Sequence, residues 1–109
     1  MTLLFKRQLL IKVLSGEKTQ TRRTRRPNVK VGGEYRLKKG YSWLQTRITV
    51  TGLDRQRLGD ITPEDIRREG FSGLEEFKAA WTGIYGGWDP DQTIWVVDFM
   101  LTETFKEKP

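Results

Sequence analysis

The sequence predicts an α+β fold, a small β-barrel with two or three flanking helices, built as one domain over residues 1–109. Three observations carry this expectation: apolar residues at helical spacing near the N-terminus, period-two alternation in the middle and towards the end, and helix-start signals between them. A chain of this length forms one core and leaves most polar side chains wet.

Leu9, Leu10, Val13 and Leu14 follow Phe5 at helical spacing, and Gly16 stands where a helix-ending glycine belongs, so a helix is expected over residues 6–15. Residues 18–30 hold six basic side chains, Arg26-Pro27 favours extended backbone, and the segment reads as a loop. Val31-Gly32-Gly33 turns into a strand over 34–38, closed by Lys39-Gly40. Over 44–53, Ile48 and Val50 face one way while Arg47, Thr49 and Thr51 face the other, the pattern of a half-buried antiparallel strand. Thr62-Pro63-Glu64-Asp65 combines an N-cap, a proline at the first helical position and first-turn acids, giving a short helix that reaches Glu69 and stops at Gly70.

Ser72-Gly73-Leu74-Glu75 has the form of a capping box for a third helix, with Leu74, Phe77, Trp81 and Ile84 along one face. The loop over 86–91 leads to the longest strand, 93–105. There Trp95, Val97, Phe99 and Leu101 form one face and Ile94, Val96, Asp98 and Met100 the other, so the strand is expected to be central, with Asp98 alone out of place. Closed or covered sheet edges complete the expected barrel, its mouth framed by the first helix and residues 16–26. Leu9, Ile48, Val50, Phe77, Trp81, Val97 and Phe99 are expected in its core.

The composition excludes several chemistries. Without Cys or His there is no disulfide, thiolate nucleophile, zinc centre of the usual ligands or His-dependent hydrolase, so any acid or base must be Lys, Glu, Asp or Tyr. The acids are scattered, so no metal and no cofactor are expected. No apolar run approaches a membrane span and no signal-peptide core is visible, which points to a soluble, cytoplasmic protein. The net charge of +6 conceals an asymmetry: residues 1–57 hold 15 Lys and Arg against 3 Asp and Glu, and residues 58–109 hold 5 against 11. The basic half suits a polyanion, and nucleic acid is the natural class of partner.

Within that half, Gly16-Glu17-Lys18-Thr19-Gln20-Thr21-Arg22-Arg23 fits Gly-x-Lys-x-x-Thr-x-Arg immediately after the predicted helix. This arrangement resembles the signature of the ASCH domain, a PUA-like family, and the likeness of element order extends over nearly the whole chain. In ASCH proteins that act as amidohydrolases on acetylated cytidine, the motif lysine and threonine serve as base and nucleophile with a glutamate from the middle helical region. The resemblance therefore implies Lys18, Thr21 and Glu69 as catalytic residues that remove the acetyl group from N4-acetylcytidine or a related acylated nucleoside. It also implies an alternative, a non-catalytic RNA-binding module, with ribonuclease activity as a third possibility.

Each residue also has a plainer role open to it: Lys18 as a helix-end cation, Thr21 as a turn hydroxyl, Glu69 as a surface acid or a partner for Lys18. Gly16 and Arg23 close the two ends of the motif as ligand contacts, Arg23 by forking onto a phosphate or base carbonyl. Arg22, Arg25, Arg26 and Lys30 read as a solvated strip along a phosphate backbone, a denser positive run than a neutral nucleoside needs. Tyr41 and Trp43, beside Lys38 and Lys39, are candidates for stacking bases. Trp88 is expected to anchor its loop. The partner expected from all of this is RNA or a modified nucleoside.

Overall fold

A computed structural model describes residues 3–102. Helix α1 (Arg7–Ser15) leads into strand β1 (Gln20–Arg23), followed by β2 (Glu34–Lys39), β3 (Ser42–Arg57), a short 3-10 turn (Leu58–Asp60), helices α2 (Pro63–Arg68) and α3 (Leu74–Tyr85), and β4 (Thr93–Thr102). The strands form one antiparallel sheet in the order β1-β4-β3-β2.

The sheet is not closed into a barrel, which corrects the expected architecture. β1 and β2 lie at opposite edges with β4 and β3 between them. The face that closure would have enclosed is covered instead: Leu10 and Val13 of α1, with Leu3 and Val29, pack on Leu37, Ile48, Val50, Val97 and Phe99. A second apolar cluster unites Phe77 and Trp81 of α3 with Leu58, Ile94 and Val96. The two apolar faces of β4 thus serve two cores, which places it centrally between helices.

α1 ends where the sequence says it should. Gly16 adopts φ 87°, a left-handed conformation that costs a residue with a Cβ about 1–2 kcal/mol. Leu9 is only half-buried, because the helix turns Leu10 and Val13 to the sheet instead. The expected loop over 18–30 contains β1, which is buried on both faces with polar residues (Gln20 and Arg22 on one, Thr21 on the other) and so carries no apolar alternation. β3 extends beyond both expected ends, since it pairs with β2 from Ser42 and with β4 as far as Arg57. Of the predicted α3 face, Phe77 and Trp81 are buried while Leu74 and Ile84 stay largely exposed. The helix starts at Gly73 without a side-chain cap; Glu76 accepts from Ser72 N and Oγ. Trp88 meets Phe77 edge to face and anchors its loop. Phe105, assigned to the last strand from sequence, lies outside the described residues. No helix among the described residues is long and apolar enough to cross a membrane.

Candidate functional site

The site is organised by α2, a six-residue helix too short to be stable alone. Its first turn closes with a capping box: Thr62 Oγ1 accepts from Asp65 N at 3.0 Å, and Asp65 Oδ2 accepts from Thr62 N at 3.1 Å. Ile66 buries its middle. Two cations from β1 and the turn before it grip the helix: Arg22 reaches Asp65 in its first turn at 3.2 Å, and Lys18 reaches the Glu69 carbonyl at its end at 3.0 Å. The backbone joins the end of α2 as well, with Thr19 N donating to Arg68 O, while Lys18 N donates to Lys12 O of α1. Gly70, at φ 93°, then turns the chain away, and a Cβ there would lie 3.1 Å from Lys12 Cδ and 3.4 Å from Lys18 Cβ.

These contacts bring Glu69, distant in sequence, to the wall of the cavity that Lys18 and Thr21 also line, with Arg22 and Arg23 beside them. Lys18 is 2% exposed, and its ammonium donates to Glu69 Oε1 at 2.8 Å, Gln20 O at 2.8 Å and Glu69 O at 3.0 Å. All three N–H groups of the charged amine are thereby used, and Thr21 is not among its partners. Burial lowers the Lys18 pKa from its ordinary value, against the opposing pull of Glu69. Thr21 Oγ1 instead accepts from Arg23 Nε at 3.2 Å.

Arg22 is buried, and its guanidinium is shared among Glu69 Oε2 at 3.0 Å, Asp65, Gln56 Oε1 at 2.8 Å and Gln20 Oε1. It is a clamp within the fold and does not belong to the exposed strip. Asp98, the residue that looked misplaced on β4, accepts from Gln20 Nε2 at 2.7 Å and so holds the amide that faces Arg22. Burial alone would raise the Asp65 pKa, but bonds from Thr62 and the charge of Arg22 hold it below the usual carboxylate value.

Two carboxylates balance Lys18 and Arg22, whereas Arg23 forms no salt bridge among the described residues. Its NH2 donates to Leu4 O at 2.8 Å and its plane lies over Phe5 at 5.2 Å, so the site keeps a surplus positive charge at the cavity. Burial lowers the Arg23 pKa, yet a guanidinium stays protonated at any physiological pH. The rest of the lining includes Phe5, Leu9, Phe71, Trp81 and Tyr85, none of which the sequence marks as site residues. Their apolar spacing signals a core, and only the fold turns part of it towards the motif. The cavity measures about 140 Å³.

Of the other expected contacts, Gly16 is exposed at the end of α1 and shapes the turn to Lys18; it does not line this cavity. Arg25, Arg26 and Lys30 are exposed, and Arg26 lies over Trp95, which Arg55 also approaches. Tyr41 and Trp43 stand on the β2–β3 hairpin, away from the cavity, 98% and 50% exposed. Among the described residues no cluster of acids offers a metal site.

No family model matches this sequence, and no curated protein does. Solved structures match the fold. The ASCH domain from Lactobacillus crispatus JV V101 superposes with a TM-score of 0.75 at 12% identity, over 93% of this chain and 77% of that one. A DUF984 protein from Enterococcus faecalis V583 gives a TM-score of 0.65 at 19% identity, over 94% of this chain and 74% of that one. This chain has the fold of an ASCH domain. The likeness at these identities is one of fold alone.

Proposed function

We propose that this chain is an RNA-binding module of the ASCH type that seats one base of a single strand in the cavity between β1, α2 and α3. The observation that carries this reading is the cavity itself. An apolar cavity of roughly 150 Å³ accepts a benzene ring, and this one, at about 140 Å³, has room for a single base ring with its sugar left outside. The aromatic wall supplies stacking surface, while Arg23 and the Thr21 hydroxyl offer polar partners to the base edge. Arg25, Arg26 and Lys30 follow directly on β1 as exposed cations for the backbone that leads into the cavity.

A second reading, hydrolysis of an amide on an acylated nucleoside, is supported by Lys18, Thr21 and Glu69 sharing that cavity and by the lowered proton affinity of Lys18. The neutral amine would take the Thr21 proton as Oγ1 attacks the carbonyl carbon. Glu69 would relay that proton to the nitrogen as the C–N bond breaks, and water would then release the acyl group from Thr21. The hydrogen bonds favour binding, because Lys18 is committed to Glu69 and backbone carbonyls while Thr21 accepts from Arg23.

One set of measurements separates the two. Cytidine should shift the amide resonances of Lys18, Thr21 and Tyr85, and N4-acetylcytidine should be recovered intact after prolonged incubation. Deacetylation by the wild type that disappears in Thr21→Val would replace binding with catalysis as the function. If cytidine and an RNA octamer leave the spectrum unchanged and no acyl group is released, both readings fall.

A further inference from the structure

The exposed end of the β2–β3 hairpin has a composition that folding does not require. Its turn, Lys39-Gly40-Tyr41-Ser42, needs only Gly40 at φ 62° to close, yet Tyr41 is 98% exposed and Trp43 half exposed. Lys38 pairs across from Trp43 with its ammonium 5.0 Å from the ring centroid, and Lys39 follows. Residues 35–53 hold Arg36, Lys38, Lys39 and Arg47 and no Asp or Glu. Arg47 pairs with Glu34 at 4.0 Å, and the exposed aromatics beside Lys38 and Lys39 form a surface that suits stacked bases and their phosphates.

This surface connects to the cavity. A groove of about 370 Å³ is lined by Phe5, Arg7 and Leu10 on one side and Lys38, Lys39 and Gly40 on the other. Phe5 also walls the base cavity, so the two spaces share a lining side chain. We infer that the hairpin end is a second contact for the same single-stranded RNA, with Tyr41 and Trp43 stacking bases and Lys38, Lys39 and Arg7 taking phosphates along the groove. The inference rests on the RNA-binding reading and deepens it: the ligand is an oligonucleotide held at two stations, and a free nucleoside occupies only one.

The test uses the full chain, a fluorescent uridine octamer and free cytidine. Replacing both aromatics (Tyr41→Ala with Trp43→Ala) should weaken octamer binding by about 5- to 150-fold per stacked base and leave the cytidine-induced shifts at Lys18 and Thr21 unchanged. Trp43→Phe keeps a π face and should retain most of the affinity, while losing its part of the tryptophan quenching caused by the octamer. Both side chains are exposed, so these variants should fold as the wild type does. Equal octamer affinity in the double variant and the wild type would overturn the second station and leave the cavity reading intact. A wild type that binds neither the octamer nor cytidine would overturn the two together. Hairpin-dependent binding to phosphatidylserine vesicles without octamer binding would assign the aromatics to a lipid surface and overturn the inference as well.

Discussion

At the scale of single residues, the site is a buried charge network whose members differ in how replaceable they are. Glu69 opposes both Lys18 and Arg22, each within 3.0 Å and each almost fully buried. Glu69→Gln leaves two buried cations facing a neutral amide, and breaking a buried pair in this way costs about 3–5 kcal/mol. Lys18→Met should cost less, because Arg22 still neutralises Glu69. Urea denaturation of the two variants measures this order, and a Glu69→Gln loss below that of Lys18→Met would contradict it. The lowered pKa of Lys18 adds a pH signature. Between the folded value and 10.5 the unfolded chain binds more protons at this lysine than the native protein does. The stability of the wild type relative to Lys18→Met should therefore rise with pH across that window, with the burial penalty fully present below the folded pKa. A flat or falling difference would place Lys18 in a better-solvated setting than its contacts imply.

At the scale of elements, α2 has its position set by its ends. Thr62, Asp65 and Arg22 hold its start; Lys18 and Gly70 hold its finish. Gly70→Ala introduces a Cβ both at positive φ and close to Lys12 and Lys18, at a cost of about 1–2 kcal/mol from the backbone alone. The Cβ would crowd Lys12 Cδ at 3.1 Å and only touch Lys18 Cβ at 3.4 Å, so the expected result is a shifted Lys12 side chain, which donates to Gly70 O, and through that helix end weaker cytidine binding. A control, Thr62→Ala, removes the cap and should cost about 1 kcal/mol with the Lys18 side untouched. If Gly70→Ala lowers stability and leaves nucleoside binding unchanged, the helix end does not position the site. The polar strand β1 illustrates a related point: its Gln20 and Arg22 face is held by ion pairs and hydrogen bonds to α2 and β4, so its strand character depends on partners that lie elsewhere in the chain.

At the scale of the whole molecule, the basic N-terminal half and the acidic remainder make the protein strongly dipolar in sequence, and the fold decides which cations remain available. Lys18 and Arg22 are consumed internally, while Arg25, Arg26 and Lys30 face solvent. Octamer affinity should fall linearly with salt on logarithmic axes, and replacing Arg25 and Arg26 with Ala should make the slope shallower by about 0.7 per lost phosphate contact. Arg22→Ala, by contrast, should show itself in thermal stability. Superimposable titrations of the wild type and the Arg25→Ala, Arg26→Ala variant at several salt concentrations would remove this strip from the interface.

The sequence by itself determined those features whose cause is local. The end of α1 at Gly16, the N-cap and N1 proline of α2 and the two-faced apolar pattern of β4 follow from backbone sterics, side-chain capping and periodicity within a few residues, whereas the capping box expected at α3 does not form. The motif likewise placed Lys18, Thr21 and Arg23 near one another because they are near in the chain. What only the tertiary structure decided depends on distant partners. The open sheet follows from α1 and Val29 covering the face that a barrel would enclose, and Arg22 became a clamp because Glu69 and Asp65 arrive from α2. Phe71, Trp81 and Tyr85 became a cavity wall in the same way, through the docking of α3. Charge counts treat every arginine alike, and only desolvation separates the one that is spent on folding from those that remain free to meet a ligand.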